Sequence, residues 1–98
     1  MDCNVEIWPQ VQDFYTGLGM TYRRDTKRAL TLLKKERGDI KALGDDLAGF
    51  YRLRVGPFRI IFRYRKGRVI ECVYMNRRAL VYEVFEREVV ERLKAGEK

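Results

Sequence analysis

The residues with the clearest chemistry in this sequence are the cations between Phe50 and Tyr82. This stretch holds nine Lys or Arg against a single acid, Glu71, so its formal charge is +8, whereas the other 65 residues sum to −1. Guanidinium groups bind phosphate oxygens through a fixed fork of N–H donors. The composition therefore indicates a surface that presents cations to a polyanion such as a nucleic acid. The nine cations are Arg52, Arg54, Arg59, Arg63, Arg65, Lys66, Arg68, Arg77 and Arg78.

Residues that would support other kinds of chemistry are scarce. No histidine occurs, which removes the commonest metal ligand and the commonest acid or base at neutral pH. The two cysteines, Cys3 and Cys72, fit neither a metal-ligand spacing nor a disulfide framework. No glycine-rich phosphate loop is present. We therefore expect no metal and no cofactor, and any catalysis must use Arg, Lys, Tyr or carboxylate side chains.

The order of residues in the basic stretch predicts three short antiparallel strands. Successive side chains of a strand point to opposite faces, and Gly56-Pro57 and Lys66-Gly67 are typical of hairpin turns. On the first two strands the apolar face carries Tyr51, Leu53, Val55, Phe58, Ile60, Phe62 and Tyr64. The opposite face carries Phe50, Arg52, Arg54, Arg59, Ile61, Arg63 and Arg65. On the third strand, Val69, Glu71, Val73 and Met75 oppose Arg68, Ile70, Cys72 and Tyr74.

The arginine-rich face has two interpretations. Strand faces exposed to solvent are usually polar, so this face could be an ordinary solvated surface. Such a surface normally mixes charges of both signs, because like charges directly opposite each other are destabilising. Here the mixing is missing, and this favours a binding surface.

The N-terminal third is predicted to supply an edge strand and a helical hairpin. Residues 3–8 alternate weakly and are expected to form the strand. Pro9 suits the first turn of a helix, and the apolar residues that follow it at helical spacing are Val11, Phe14, Tyr15 and Leu18. A second helix is expected from Thr21 or Tyr22 to about Arg37, ended by Gly38. Its predicted buried side consists of Ala29, Leu30, Leu32 and Leu33. Other expected core residues are Trp8 and Phe14.

The C-terminal part is predicted to form one more helix. Asn76 is its expected cap, and the helix would run from Arg77 or Arg78 to about Ala95. Its expected core-facing residues are Val81, Val84, Phe85, Val89 and Leu93. The order β-α-α-β-β-β-α then predicts a small α+β fold. It combines a three-strand antiparallel meander and an N-terminal edge strand with an N-terminal helical hairpin and a C-terminal helix.

Length and hydropathy set further limits. The 98 residues suit a single domain, residues 1–98. No apolar run approaches the ~20 residues that a membrane span needs, and the first residues lack the features of a signal peptide. We therefore expect a cytoplasmic protein without a membrane partner.

Three motifs connect the basic stretch to a known superfamily. They are Leu43 with Leu47-Ala48-Gly49, then Tyr51-Arg52-Leu53-Arg54-Val55-Gly56 with Phe58-Arg59-Ile60-Ile61-Phe62, and finally Asn76-Arg77-Arg78-Ala79-Leu80-Val81-Tyr82. With these motifs the chain resembles the RelE/ParE superfamily, the toxin halves of bacterial and archaeal toxin–antitoxin pairs. The resemblance covers residues 40–85 most specifically. This superfamily contains both ribosome-dependent messenger RNA endonucleases and inhibitors of DNA gyrase.

The resemblance implies a set of site residues. In the nuclease branch, the ribose 2′-OH attacks the adjacent phosphate without a metal. The residues that match this branch's catalytic positions are Arg52, Arg54, Arg59, Arg78 (or Arg77, if the register shifts by one) and Tyr82. Arg59 and Arg78 suit stabilisation of charge on the phosphate, and Tyr82 suits base stacking or proton transfer. Further RNA contacts are expected at Arg63, Arg65, Arg68 and Arg77.

The first strand departs from the nuclease pattern. Where some nucleases carry lysines, or a carboxylate and a histidine nearby, this chain has Arg52 and Arg54, and arginine essentially never deprotonates. Either Tyr82 takes the proton, or catalysis is mainly electrostatic, or the protein is no nuclease. Arg52 and Arg54 could instead pair with an acidic antitoxin segment, and Tyr82 could belong to the core. Arg63, Arg65 and Arg68 could simply be solvated.

Three functions follow from this resemblance. The leading hypothesis is a ribosome-dependent endoribonuclease toxin whose partners are the ribosome, mRNA and a cognate antitoxin. The alternatives are a DNA gyrase inhibitor that acts by protein–protein binding, and a non-catalytic RNA-binding relic of the fold.

Overall fold

A five-stranded sheet forms the centre of the molecule, of which the computed structural model describes residues 2–90 and residue 93. The strands are β1 (Asn4–Ile7), β2 (Ile40–Ala42), β3 (Tyr51–Val55), β4 (Phe58–Arg65) and β5 (Val69–Arg77). Their order across the sheet is β1-β5-β4-β3-β2. Strands β2 to β5 pair antiparallel, whereas β1 runs parallel to β5. The predicted α+β class, meander and edge strand are confirmed, but the sheet is mixed and β2 was not predicted.

The helices lie on both sides of the sheet. They are α1 (Pro9–Thr16), α2 (Met20–Leu33) and α3 (Val81–Phe85), with a π-helical segment at Glu86–Val90 and a 3₁₀ turn at Asp45–Leu47. The prediction that α2 reaches Arg37 was wrong, because turns replace the helix after Leu33 and Glu36 already has a positive φ of 56°. The prediction that Leu32 is buried was also wrong, since 41% of it is exposed.

The start of the last helix also differs from the prediction. Asn76 does not cap it, because this residue lies within β5 and its Oδ1 accepts a hydrogen bond from the Arg77 N–H. The chain turns at residues 78–80, and α3 begins only at Val81. Of the predicted core positions, Val81 and Phe85 are fully buried. The predicted end near Ala95 lies outside the described residues.

Each face of the sheet carries its own apolar core. On the side of α1 and α2, which we call the α1/α2 face, the buried residues are Cys3, Val11, Leu33, Leu53, Val55, Phe58, Ile60, Phe62, Ile70, Cys72 and Met75. On the other side, the α3 face, they are Leu47, Ile61, Val73, Tyr74, Val81, Phe85 and Val90. The expectation of one apolar and one arginine-rich face was therefore only partly right. Apolar side chains cover the middle of the arginine-rich face, and the arginines lie towards its two ends.

A β-bulge explains why the third strand departs from simple alternation. The register of β4 and β5 shifts between Ile61 and Phe62, which face Tyr74 and Cys72 respectively. One extra residue, Val73, therefore stands in β5, and Met75 joins the core on the α1/α2 face. The side chain of Gln10 in α1 binds the main chain next to the bulge, since its amide donates to the Met75 carbonyl and accepts from the Met75 N–H.

Within the described part of the chain, no helix is both long and apolar enough to cross a bilayer.

Candidate nucleic-acid interface

Arg59 lies at the centre of a group of cations on the α3 face. Only 7% of this residue is exposed, and its Nη1 donates hydrogen bonds to the carbonyl oxygens of Gly56 (2.9 Å) and Phe58 (2.8 Å). Burial lowers the pKa of the Arg59 guanidinium, and the charges of nearby arginines lower it further. Arg59 is thus a cation held rigidly in the sheet, and the arginines close enough to affect it are Arg54, Arg52 and Arg78.

Arg52 and Arg54 reach this group from the neighbouring strand β3. Arg54 stands directly opposite Arg59 in the antiparallel pair. Both β3 arginines contact the carboxylate of Asp39, with 3.1 Å from Arg52 Nη1 to Oδ1 and 3.8 Å from Arg54 Nη1 to Oδ2. Arg52 Nη1 and the Arg54 main-chain N–H also donate to the Asp39 carbonyl. Asp39 therefore holds Arg52 in place and neutralises part of the local charge, although its own side chain is 52% exposed.

Arg78 and Tyr82 approach from the segment that follows β5. The Arg78 main-chain N–H donates to the Pro57 carbonyl at 3.0 Å, which fixes this turn beside the β3–β4 hairpin. Its side chain is exposed and makes no ion pair with any carboxylate among residues 2–90 and 93. Tyr82 is half-buried in the first turn of α3 and packs against the apolar cluster of that face. Its charged form would raise the pKa of Arg59, so the hydroxyl also lies within the electrostatic reach of this cation.

The five residues that the resemblance selected therefore form one group around Arg59. We call Arg52, Arg54, Arg59, Arg78 and Tyr82 the arginine site. Four guanidinium groups and one phenol can bind a phosphate chain, stabilise extra negative charge on one phosphate, and stack on or hydrogen-bond to a base. Repulsion among the cations is relieved only in part by Asp39. A bound anion would relieve it further.

The other predicted RNA-binding arginines have different surroundings. Arg63 Nε donates to Glu71 Oε1 at 2.7 Å, and Arg65 Nη1 donates to Glu71 Oε2 at 3.2 Å. The Arg63 guanidinium also lies 5.7 Å from the centre of the Trp8 ring. Burial by itself would raise the pKa of Glu71, but hydrogen bonds from Arg63 and Trp8, followed by the charge of Arg63 and a hydrogen bond from Arg65, hold it below its ordinary value. We call Trp8, Arg63, Arg65 and Glu71 the Glu71 cluster.

Two predicted arginines lie outside both groups. Arg77, at the end of β5, has its guanidinium 5.8 Å from the centre of the Phe58 ring, a residue of the opposite face. Arg68 stands in the β4–β5 turn with a positive φ of 58°, and its carbonyl accepts a hydrogen bond from the Asn4 N–H. The predicted RNA-binding arginines are thus not one continuous surface.

Sequence reasoning missed the two carboxylates that divide these arginines. Asp39 begins the acidic connector of residues 39–49, whose position just before the basic strands was the available signal. Glu71 was noted only as the single acid of the basic stretch. Glu71 stands directly opposite Arg63 because the β4–β5 hairpin has a three-residue loop, residues 66–68. The predicted two-residue turn at Lys66-Gly67 would have placed Ile70 opposite Arg63.

Comparisons with solved structures place this fold among known toxins. A RelE–RelB complex from the archaeon Pyrococcus horikoshii contains a chain that is 25% identical, with a TM-score of 0.66 over 80% of this chain and 97% of that one. The RelBE2 toxin–antitoxin complex of Mycobacterium tuberculosis matches at 20% identity and a TM-score of 0.67 over 80% and 100% of the two chains. A YoeB/ParE toxin from Agrobacterium tumefaciens matches at 16% identity and a TM-score of 0.65 over 76% and 96%. The resemblance that the motifs predicted is confirmed.

Sequence-level comparisons find nothing further, since no family model and no curated protein matches this chain.

Proposed function

We propose that this chain, which has the fold of the RelE-type toxins, is the toxin of a type II toxin–antitoxin pair and cleaves messenger RNA on the ribosome. The observation that carries the proposal is the arginine site. Of its four arginines, Arg59 has a buried guanidinium that is surrounded by Arg52 and Arg54 from β3 and by Arg78 from the segment after β5, and Tyr82 lies beside them. Two of the four, Arg59 and Arg78, make no ion pair with a carboxylate among the described residues. The charges of these two arginines are therefore not neutralised by a carboxylate of the described residues.

The proposed reaction is an internal transfer at one phosphate of the RNA. The ribose 2′-oxygen forms a bond to phosphorus, and the bond from phosphorus to the 5′-oxygen of the next nucleotide breaks. The 2′-OH loses its proton, and the leaving 5′-oxygen gains one. The products are a 2′,3′-cyclic phosphate and a free 5′-hydroxyl. No metal is needed, provided that cations stabilise the extra charge on the five-coordinate phosphorus.

The residues of the arginine site divide this work. Arg59 and Arg78 are assigned to the phosphate that reacts, because a guanidinium donates two parallel hydrogen bonds to phosphate oxygens. Arg52 and Arg54 are assigned to the flanking phosphates, since Asp39 already occupies part of their donor capacity. Tyr82 is assigned to the base or the proton, as its phenol can stack on a nucleobase and can also exchange a proton.

The arginine site offers few groups that could accept or donate the protons of this reaction. Arginine stays protonated in proteins, and the carboxylate bonded within the site, Asp39, is engaged with Arg52 and Arg54. We infer that catalysis rests mainly on positioning and charge stabilisation, with Tyr82 as the proton carrier. Replacing Tyr82 by Phe should then slow cleavage and preserve RNA binding.

A cognate antitoxin completes the proposal. The solved relatives include RelE bound to RelB and YoeB bound to YefM. We propose that a partner of this kind binds the present chain and covers the arginine site with acidic side chains. The function also implies ribosomes and mRNA as partners, and a cytoplasmic location.

The test is to incubate the purified protein with translating ribosomes and to map the 5′ ends of the mRNA. Cuts are expected within the codon in the A site for the wild type and for Arg87→Gln, in which an exposed arginine outside the arginine site is neutralised. Arg78→Gln should abolish them. Absence of cuts in the wild type would refute the nuclease. Inhibition of DNA gyrase supercoiling that Tyr82→Phe leaves unchanged would then support the gyrase alternative, and RNA binding without either activity would support a non-catalytic protein.

A further inference from the structure

A second basic segment lies outside the stretch that contains the arginine site. Residues 20–37 hold seven Lys or Arg against two acids, Asp25 and Glu36, for a formal charge of +5. The 47 residues outside both segments have a formal charge of −6. Added to the +5 of residues 20–37, this gives the sum of −1 for the 65 residues outside residues 50–82, and that small sum hides the second basic segment. The positive charge of the protein therefore lies in two places.

The helical period collects most of these cations on one side of α2. Thr26 and Leu33 are fully buried against the sheet, and residues that lie half a turn away from them on the helix point to solvent. Five exposed cations lie on this outer side or on one flank of it. Three of them belong to α2, and the other two follow its last residue. We call them the α2 stripe: Arg24, Lys27, Arg28, Lys34 and Lys35. The acid Asp25 falls on the other flank.

The cations of the α2 stripe make no ion pair with a carboxylate of the described residues, unlike four of the arginines of the sheet. Among residues 2–90 and 93, none of the five contacts a carboxylate, whereas Arg52, Arg54, Arg63 and Arg65 all do. Arg24 and Arg28 stand four residues apart, and like charges at this spacing destabilise a helix. Such repulsion without an internal counter-ion favours an external one.

The α2 stripe faces away from the arginine site. Helix α2 covers the α1/α2 face of the sheet, where its Leu33 joins the core and its Tyr22 ring contacts Phe58. The arginine site lies on the α3 face, beyond the sheet. A nucleic-acid segment bound along one surface therefore cannot occupy the other without bending around a molecule whose shortest dimension is 22 Å.

We propose that the α2 stripe is a second RNA-binding surface, which holds the phosphate backbone of a folded RNA segment while the arginine site holds the strand to be cut. The middle of the outer side of α2 carries Arg24, Arg28 and Thr31, followed by Lys35 just beyond the helix, whereas the exposed apolar residues of this helix, Met20, Tyr22 and Leu32, lie at its first turn or on its flank. Protein interfaces are built around apolar and aromatic anchors and are depleted in lysine, whereas phosphate contacts need only cations. The choice of RNA over DNA rests on the proposed function.

The test measures RNA binding and no cleavage, so that a negative result for the α2 stripe can be distinguished from an absence of the proposed nuclease activity. A 20-base-pair RNA hairpin labelled with fluorescein is titrated by anisotropy at several salt concentrations, without ribosomes. Arg24→Gln/Arg28→Gln should weaken binding about five- to tenfold near 0.1 M salt, and the slope of log K against log salt should become less negative by roughly 2. The control Lys66→Gln/Arg87→Gln has the same net charge and should stay within about twofold of the wild type.

Two results would overturn the proposal. Equal losses in the α2 variant and in the control would mean that only total charge matters. Unchanged RNA affinity in the α2 variant, together with weaker binding of a decaglutamate peptide, would mean that the stripe takes an acidic protein segment. Circular dichroism should show that every variant keeps the wild-type helix content, since all the substituted side chains are exposed.

Discussion

The two ends of strand β4 carry the same residue type on the same face, yet in opposite electrostatic states. At one end, Arg63 and Arg65 hold the buried carboxylate of Glu71, of which only 4% of the side chain is exposed. At the other end, Arg59 donates to main-chain carbonyls and is surrounded by further arginines. Ile61, fully buried in the core beneath α3, separates the two groups.

This difference shows what decides the role of an arginine on a sheet. A carboxylate that is itself buried turns the neighbouring guanidinium groups into internal partners, because neither side can leave without exposing the other's charge to an apolar environment. Where no buried acid is present, the cations repel one another and gain free energy from any bound anion. We therefore propose that the Glu71 cluster stabilises the fold and that the arginine site binds the ligand. The number of arginines alone would not distinguish them.

The strongest test of this contrast exchanges arginine for lysine at each end. Arg59→Lys keeps the charge but removes the fork, so we expect cleavage on the ribosome to fall by about 10²–10³-fold, as when one preorganised donor to a transition-state anion is lost. Arg63→Lys should leave cleavage within about twofold and lower the free energy of unfolding by about 1 kcal/mol, because one hydrogen bond to Glu71 weakens. Cleavage rates and urea unfolding of both variants provide the measurement. Equal losses of activity would mean that the two ends form one RNA-binding surface.

Glu71→Gln tests the stabilising end directly. The substitution removes the charge that pairs with Arg63 and Arg65, and we expect the free energy of unfolding to drop by about 2–3 kcal/mol, towards the lower end for buried ion pairs because both arginines remain partly exposed. Cleavage per folded molecule should not change. Urea denaturation followed by tryptophan fluorescence is suitable, since Trp8 is part of the cluster. Glu83→Gln, which removes an exposed acid 3.9 Å from Arg87, is the matched control and should cost far less.

The same carboxylate predicts how stability depends on pH. Its pKa in the folded protein lies below the ordinary 4.5, so the unfolded chain takes up the proton more readily than the native protein does. The stabilisation is complete above about pH 4.5, and it is lost as the pH falls through the lowered pKa of the folded state. The wild type should therefore lose more stability between pH 6 and pH 3 than Glu71→Gln does. Parallel pH profiles of the two proteins would refute the assignment.

Local patterns were sufficient to predict the sheet, the helical hairpin and the neighbours of Arg59. Alternation places Arg52, Arg54 and Arg59 on one face whatever the rest of the chain does, because the period of a strand is two residues. The motif ending in Tyr82 added Arg78 by resemblance. These predictions needed only residues close together in the sequence.

Features that depend on distant contacts were beyond such reasoning. Strand β2 has only three residues and gains its partner from β3, so Ile40–Ala42 shows no pattern of its own. Next to the bulge at Val73, the main chain of Met75 is hydrogen-bonded by the side chain of Gln10, which lies 65 positions away in the sequence. The packing of α3 against Ile61 likewise depends on where the chain turns after β5. The pairing of Asp39 with Arg52 follows from β2, and so it was missed with it.

Asp39 provides the last and smallest test. It neutralises part of the charge of the arginine site, as Glu71 does for Arg63 and Arg65 at the other end of β4, but it does so from an exposed position. Its carboxylate is half-exposed and touches Arg52 and Arg54, so an RNA phosphate must compete with it. Asp39→Asn keeps an oxygen that can accept from Arg52 but removes the charge. We expect RNA affinity to rise about fivefold at low salt, the effect of about 1 kcal/mol for one charge at 4 Å in water, and its salt dependence to steepen. Anisotropy with a short single-stranded RNA would measure this change.

Asp46→Asn, which neutralises an exposed acid of the same connector, is the control and should change the RNA affinity less. Weaker binding by Asp39→Asn would mean that Asp39 orients the arginines for RNA rather than competing with it.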